Sequence, residues 1–199
     1  MMAMCMAWLG VSTSAAQKNN AARKILDRAA KVVGRSGGAS ASFTMSSAAT
    51  GKVSGTIAIK GNKFNARTPQ MTVWYNGKTQ WTYVKKNNEV NVSTPTQAQQ
   101  QMMNPYSFIT MYKTGYKMSV TNAGANNEVH LVAQNPKRGI PEMYITINRK
   151  TGVPSKVKMK HKGKWSTTTV SNFSPKNLSD RIFTFNSKDY PTAEVIDLR

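Results

Sequence analysis

Thiols, acidic side chains and long apolar runs are all scarce in this chain of 199 residues, and each shortage removes a class of function. Cys5 is the only cysteine and lacks the Leu-x-small-Cys context of a lipid-anchored precursor, which argues against a disulfide framework, a cysteine metal site or a thiol nucleophile. His130 and His161 have no second histidine or carboxylate at a metal-ligand spacing, so each reads as an ordinary strand residue. Acidic residues number 8 against 28 Lys and Arg. Apart from Asp27 none precedes Glu89, so paired carboxylates for acid–base work are missing. No Gly-rich phosphate loop or nucleophile elbow is present. No catalytic residue, metal or cofactor is expected. Nor does any apolar stretch approach the roughly 20 residues that span a bilayer.

What is present begins with charge. The net +20 predicts attraction to polyanions such as nucleic acid, anionic lipid headgroups or lipopolysaccharide, and says nothing about fold. Met1–Ala16 carries no charge, is apolar to Val11 and ends in Ser12-Thr13-Ser14-Ala15-Ala16, the pattern of a secretory signal cut after Ala16. Its basic start is absent while Met1, Met2, Met4 and Met6 crowd the beginning, as though translation starts inside a longer signal. The expected division is a signal peptide at 1–16 and one domain at 17–199, long enough for a single core.

From Asn20 the pattern is helical: Ala22, Ile25, Leu26, Ala29 and Val33 share one face, with Asn20 as cap and the Gly34 region as stop. Beyond Ala39 the period becomes two, which predicts antiparallel strands, including Tyr116–Val120, Glu128–Ala133, Met143–Ile147, Ser155–Trp165, Thr167–Phe173 and Arg181–Phe185. Tyr75-Asn76-Gly77-Lys78 predicts a hairpin with a type I′ turn. Thr94-Pro95 and Asn104-Pro105 each place a capping residue before a proline, the start signal of two short helices reaching Met103 and Tyr112. The order helix, strands, helices, strands fits a mainly β (α+β) fold: a half-open, strongly twisted antiparallel β-barrel with an N-terminal helix and short lid helices over its concave apolar side.

Two clusters suggest function. Trp74, Trp81, Tyr83, Met102, Met103, Phe108, Met111, Tyr112 and Met118 gather around the hairpin and the short helices; such adaptable apolar groups suit a cavity for acyl chains as well as an ordinary core. Lys156, Lys158, Lys160, Lys162 and Lys164 occupy alternate positions, as on one strand face. They read either as a solubilising outer surface or as a docking face for anionic membrane or an acidic partner; specific nucleic-acid recognition is not expected.

Trp74-Tyr75-Asn76-Gly77-Lys78-Thr79-Gln80-Trp81-Thr82-Tyr83, with Gly55–Lys60 before it, Asn91-Val92-Ser93 and Asn104–Ile109 after it, Ile145–Gly152 and Phe183-Thr184-Phe185, resembles the LolA-like family of periplasmic outer-membrane lipoprotein carriers. The resemblance covers nearly the whole chain after the signal. It implies a monomeric periplasmic chaperone, without catalysis, that takes acylated lipoproteins from an inner-membrane ABC transporter to an outer-membrane acceptor; transient anionic membrane contact is expected from the charge and the lysine row instead. It implies an acyl cavity from Ile57, Ile59, Phe64, Trp74, Trp81, Tyr83, Phe108, Met111 and Met118, and a lid from Pro105, Phe108 and Ile109. In the family an arginine early in the strands locks the lid; Gly61 falls at that place here and Ile109 at the matching lid position, leaving Lys60 or Lys63 as substitutes. Alternatives on the same fold are a binding protein for other lipids, glycolipids or lipopolysaccharide, or an envelope-sensing regulatory domain.

Overall fold

The computed structural model describes residues 10–48, 51–96, 99–100 and 111–199. Among them one long helix, α1 (Gly10–Val33), precedes twelve strands: β1 (Ala39–Ser47), β2 (Gly51–Lys60), β3 (Lys63–Arg67), β4 (Met71–Tyr75), β5 (Gln80–Val84), β6 (Glu89–Ser93), β7 (Tyr116–Ala123), β8 (Asn126–Ala133), β9 (Glu142–Asn148), β10 (Pro154–His161), β11 (Lys164–Pro175) and β12 (Glu194–Asp197). They form a single sheet in the order β12-β6-β5-β4-β3-β2-β1-β11-β10-β9-β8-β7. Its two ends do not meet, so the sheet is half-open as expected. Among the described residues all pairings are antiparallel except that of β12 with β6, a parallel contact that the alternation does not predict.

α1 packs on β7 and buries Ala22, Leu26, Ala29 and Val33, the stripe that its spacing predicts. The helix starts ten residues before Asn20, running without a break through the expected cleavage point; Asn20 is an interior position, not a cap. The left-handed residue that turns the chain into β1 is Gly38 (φ 87°) and not Gly34. A Cβ at Gly38 would lie 2.5 Å from the Ile59 carbonyl oxygen, so only glycine fits there.

Three further local expectations are corrected. The β4–β5 hairpin forms, but four residues, Asn76–Thr79, connect Tyr75 to its partner Gln80. Only Gly77 has positive φ; the Asn76 side chain instead accepts hydrogen bonds from the Lys78 and Thr79 amides at 3.0 and 2.9 Å, an Asx turn that replaces the type I′ geometry. Arg181–Phe185 is not a strand: Asp180–Phe183 forms a 3-10 turn capped by Ser179. Before the second half, Thr96 rather than Thr94 caps a helical start, its hydroxyl accepting from the Gln99 amide while the Gln99 side chain accepts from the Thr96 amide at 2.8 Å, a reciprocal capping box.

Candidate functional site

On the face of the sheet that meets α1, one apolar cluster runs through β1–β4 and β7–β11, while on β5 and β6 that face carries Gln80, Thr82, Asn91 and Ser93. Ile57, Ile59, Phe64, Met111 and Met118 join Leu26, Val33, Leu131, Ile145 and Ile147 in a single buried cluster. Five of the nine residues expected to line an acyl cavity therefore share one surface, and each is at most 5% exposed. Such a surface can hold aliphatic groups.

Polar clasps at the helix edge keep this surface shut. The Arg28 guanidinium donates to the backbone carbonyls of Arg149 and Lys150 at 2.9 and 2.5 Å and packs on Gly152. That turn is itself built by Asn148, whose side chain accepts from the Lys150 and Thr151 amides. Arg23 donates to the Lys113 carbonyl at 3.2 Å, and the buried Tyr112 hydroxyl donates to Asp27. Burial, followed by the bond to Asp27 and its charge, pushes the Tyr112 hydroxyl well above the ordinary tyrosine range, so it keeps the proton that it donates.

Trp74, Trp81 and Tyr83 lie on the other side. Phe64 pairs with Tyr75 on the helix-covered face, so Trp74, next in sequence, points the opposite way, and its partner Trp81 follows it. Tyr83 shares the parity of Trp81. The nine expected residues thus do not line one cavity. Trp74 is nonetheless 4% exposed, because the segment after β11 covers it: Phe185 and Tyr190 each sit 5.5 Å from its ring, Tyr190 lies 4.6 Å from Tyr83, and Phe183 is fully buried. Between this segment and the sheet lies a pocket of about 900 Å³ with Trp74, Phe185 and Tyr190 as its aromatic wall and Arg67, Arg181 and Asp189 among its charged groups. Sequence reasoning misses this covering segment. Phe183-Thr184-Phe185 is its visible signal, yet an alternating pair of rings reads as a strand.

Lys60 and Lys63 anchor the same segment. Both reach Asp180 at 3.0 Å, and Lys60 also donates to the Leu178 carbonyl at 2.9 Å. The hydrogen bonds from Lys60 and Lys63 hold the Asp180 carboxyl below its ordinary value of 3.8. These contacts go to the C-terminal segment; the lid position Ile109 that Lys60 or Lys63 is expected to reach lies outside the described residues, and Gly61 occupies the β2–β3 turn at φ 60°, a conformation that disfavours an arginine. The expected lid residues Pro105, Phe108 and Ile109 lie outside the described residues, as do Met102 and Met103.

The lysine row is shorter than its spacing suggests. β10 ends at His161, and a turn with positive φ at Lys162 (47°) and Gly163 (76°) starts β11 at Lys164. Lys156, Lys158 and Lys160 share one outer face; Lys164 pairs with His161 on the opposite parity. The two-residue turn pairs His161 with Lys164 and so inverts the parity, which is why an unbroken period of two in the sequence does not keep all five lysines on one face.

A family model described as outer membrane lipoprotein carrier protein LolA matches residues 11–163. No curated protein matches the chain in sequence. Among solved structures, an uncharacterized conserved protein from Thermus thermophilus is similar over 89% of this chain and 99% of its own, at 16% identity and a TM-score of 0.61. A DUF1329 family protein from Desulfovibrio piger is similar over 84% of this chain and 97% of its own, at 10% identity and a TM-score of 0.50. A LolA superfamily protein from Nitrosomonas europaea covers 82% of this chain and 97% of its own, at 12% identity and a TM-score of 0.47. At these identities the first two likenesses speak for the fold alone.

Proposed function

Because the chain belongs to the family of outer membrane lipoprotein carrier proteins typified by LolA, we propose that it is a periplasmic carrier that holds the acyl chains of lipoproteins against the helix-covered face and passes them from an inner-membrane ABC transporter to the outer membrane. The observation that carries this reading is the continuous apolar cluster on one face of a sheet whose ends do not close. Each methylene moved from water into such a surface contributes about 0.8 kcal/mol, so three acyl chains supply ample affinity without any catalytic group. The cluster is closed in this state, so cargo enters as α1 or the Met111–Tyr112 segment swings away; the polar clasps at the helix edge set how easily that happens. Holding cargo by displaceable cover also permits release, which a sealed cavity would oppose.

The test is release of lipoproteins from spheroplasts incubated with the purified exported protein, followed by mass spectrometry of what copurifies. Acylated peptides in the soluble fraction are expected. A protein that releases none, and carries only free lipid, overturns lipoprotein carriage. That result favours the second reading, a binding protein for other lipids, glycolipids or lipopolysaccharide, which the pocket bearing Arg67 and Arg181 beside an aromatic wall supports.

A further inference from the structure

The outer face of β8–β11 carries rings and ammonium groups in a fixed arrangement that the acyl-holding face does not need. Register places His130 opposite Tyr144, Tyr144 opposite Lys158, and Lys160 opposite Trp165, so these side chains stand side by side on one surface. The rings of His130 and Tyr144 stack at 4.1 Å with planes 3° apart, and Tyr144 lies 5.9 Å from Trp165. Lys158 Nζ sits 4.5 Å over the Trp165 ring, with Lys160 Nζ at 5.5 Å. Glu142 ties the near end, bonded to His130 at 3.0 Å and to Tyr144 at 3.1 Å, with Lys160 at 3.8 Å. Exposed Val132 and Lys156 extend the patch on either side.

We infer that this face docks the protein on an anionic phospholipid bilayer. Its chemistry is that of a headgroup layer partner: ammonium groups for phosphate, and indole and phenol rings for the interface between water and hydrocarbon. The rings also leave less open aromatic surface to a stacked base. Stacking of bases needs a free aromatic face, whereas here one face of Tyr144 is covered by His130 and Trp165 is capped by Lys158. Charge complementarity is the driving term, since a chain of net +20 meets a negative surface whose attraction adds for each lysine brought near it. The inference does not depend on what the helix-covered face carries.

The experiment measures binding of the exported protein to phosphatidylcholine vesicles with and without phosphatidylglycerol. Binding is expected only to the anionic vesicles, and it should vanish with salt as the Debye length shrinks from about 30 Å at 0.01 M to about 3 Å at 1 M. The double substitution Lys156→Gln, Lys158→Gln should weaken it by about fivefold per lysine, roughly 25-fold in total. Lys85→Gln, Lys86→Gln, which removes the same charge from the distant β5–β6 turn, should leave most of the binding. Tryptophan emission should shift to the blue on anionic vesicles, and Trp165→Phe should abolish the shift. Far-UV circular dichroism checks that each variant is folded. Equal binding to neutral vesicles, equal loss in both lysine pairs, or tighter binding to a single-stranded oligonucleotide than to anionic vesicles overturns the inference; an unfolded variant is replaced by Lys158→Arg, which keeps the charge and should keep the binding.

Discussion

Arg28→Ala tests whether α1 is a displaceable cover. The guanidinium makes two hydrogen bonds to carbonyls of the β9–β10 turn, each contributing about 0.5–1.5 kcal/mol net. Both are exposed, so the lower half of that range applies and the pair is taken as about 1–2 kcal/mol. The residue is exposed and is not a member of the apolar cluster that holds the helix down, which includes Ala22, Leu26, Ala29 and Val33, so the loss should fall on local opening rather than on global stability. At 1.4 kcal/mol per tenfold, the population with α1 displaced should rise roughly 5- to 30-fold. Hydrogen exchange followed by mass spectrometry reads this directly: α1 peptides should exchange faster by that factor while β9 and β10 peptides keep their rates. A fluorescent acyl probe should associate faster by a similar factor, since entry requires the displaced state. Unchanged exchange in α1, or an acceleration spread evenly over the whole chain, would refute the idea that the helix opens on its own.

Two further outcomes concern the covering C-terminal segment. Phe183→Ala removes a fully buried ring and should destabilise the protein by about 3–5 kcal/mol in urea unfolding; a loss below about 1 kcal/mol would mean that the segment is not held by that ring. Asp180 has a folded pKa depressed below 3.8 by Lys60 and Lys63, so its stabilising effect is present above 3.8 and is lost as pH falls through the lower folded value. Acidification through that window should loosen the segment over residues 176–193, seen as faster proteolytic nicking, and Asp180→Asn should remove the dependence by being loose at every pH.

The sequence shows the elements well and their relative orientation poorly. α1 is legible because Ala22, Leu26, Ala29 and Val33 repeat at helical spacing, and its extension to Gly10 is not, because the small, uncharged residues before Gln17 carry no such stripe. Most strands are legible by alternation. Alternation, however, fixes parity only within a strand. In β4 four consecutive residues, Thr72 to Tyr75, are buried, so nothing in the local pattern says which of Trp74 and Tyr75 meets the helix; only the pairing of Phe64 with Tyr75 decides it. That is why sequence alone groups Trp74, Trp81 and Tyr83 with Ile57 and Phe64 although a sheet separates them. The anchoring of Asp180 by Lys60 and Lys63 is invisible for a related reason, since partners more than a hundred residues apart leave no trace in spacing.

The strand order bears on how the chain reaches this structure. From β1 to β6 and from β7 to β11 each strand lies beside its predecessor, so either half can zip together from neighbouring hairpins at small entropic cost. The β1–β11 seam joins the halves, pairing Ala39 with Pro175 at one end and Ser47 with Ser166 at the other. Closing so long a loop must be completed before its contacts reward it. The seam is therefore the costliest contact in the sheet to close, and until it forms the rims of β1 and β11 are unpaired edges on which two copies of the chain could pair wrongly with one another.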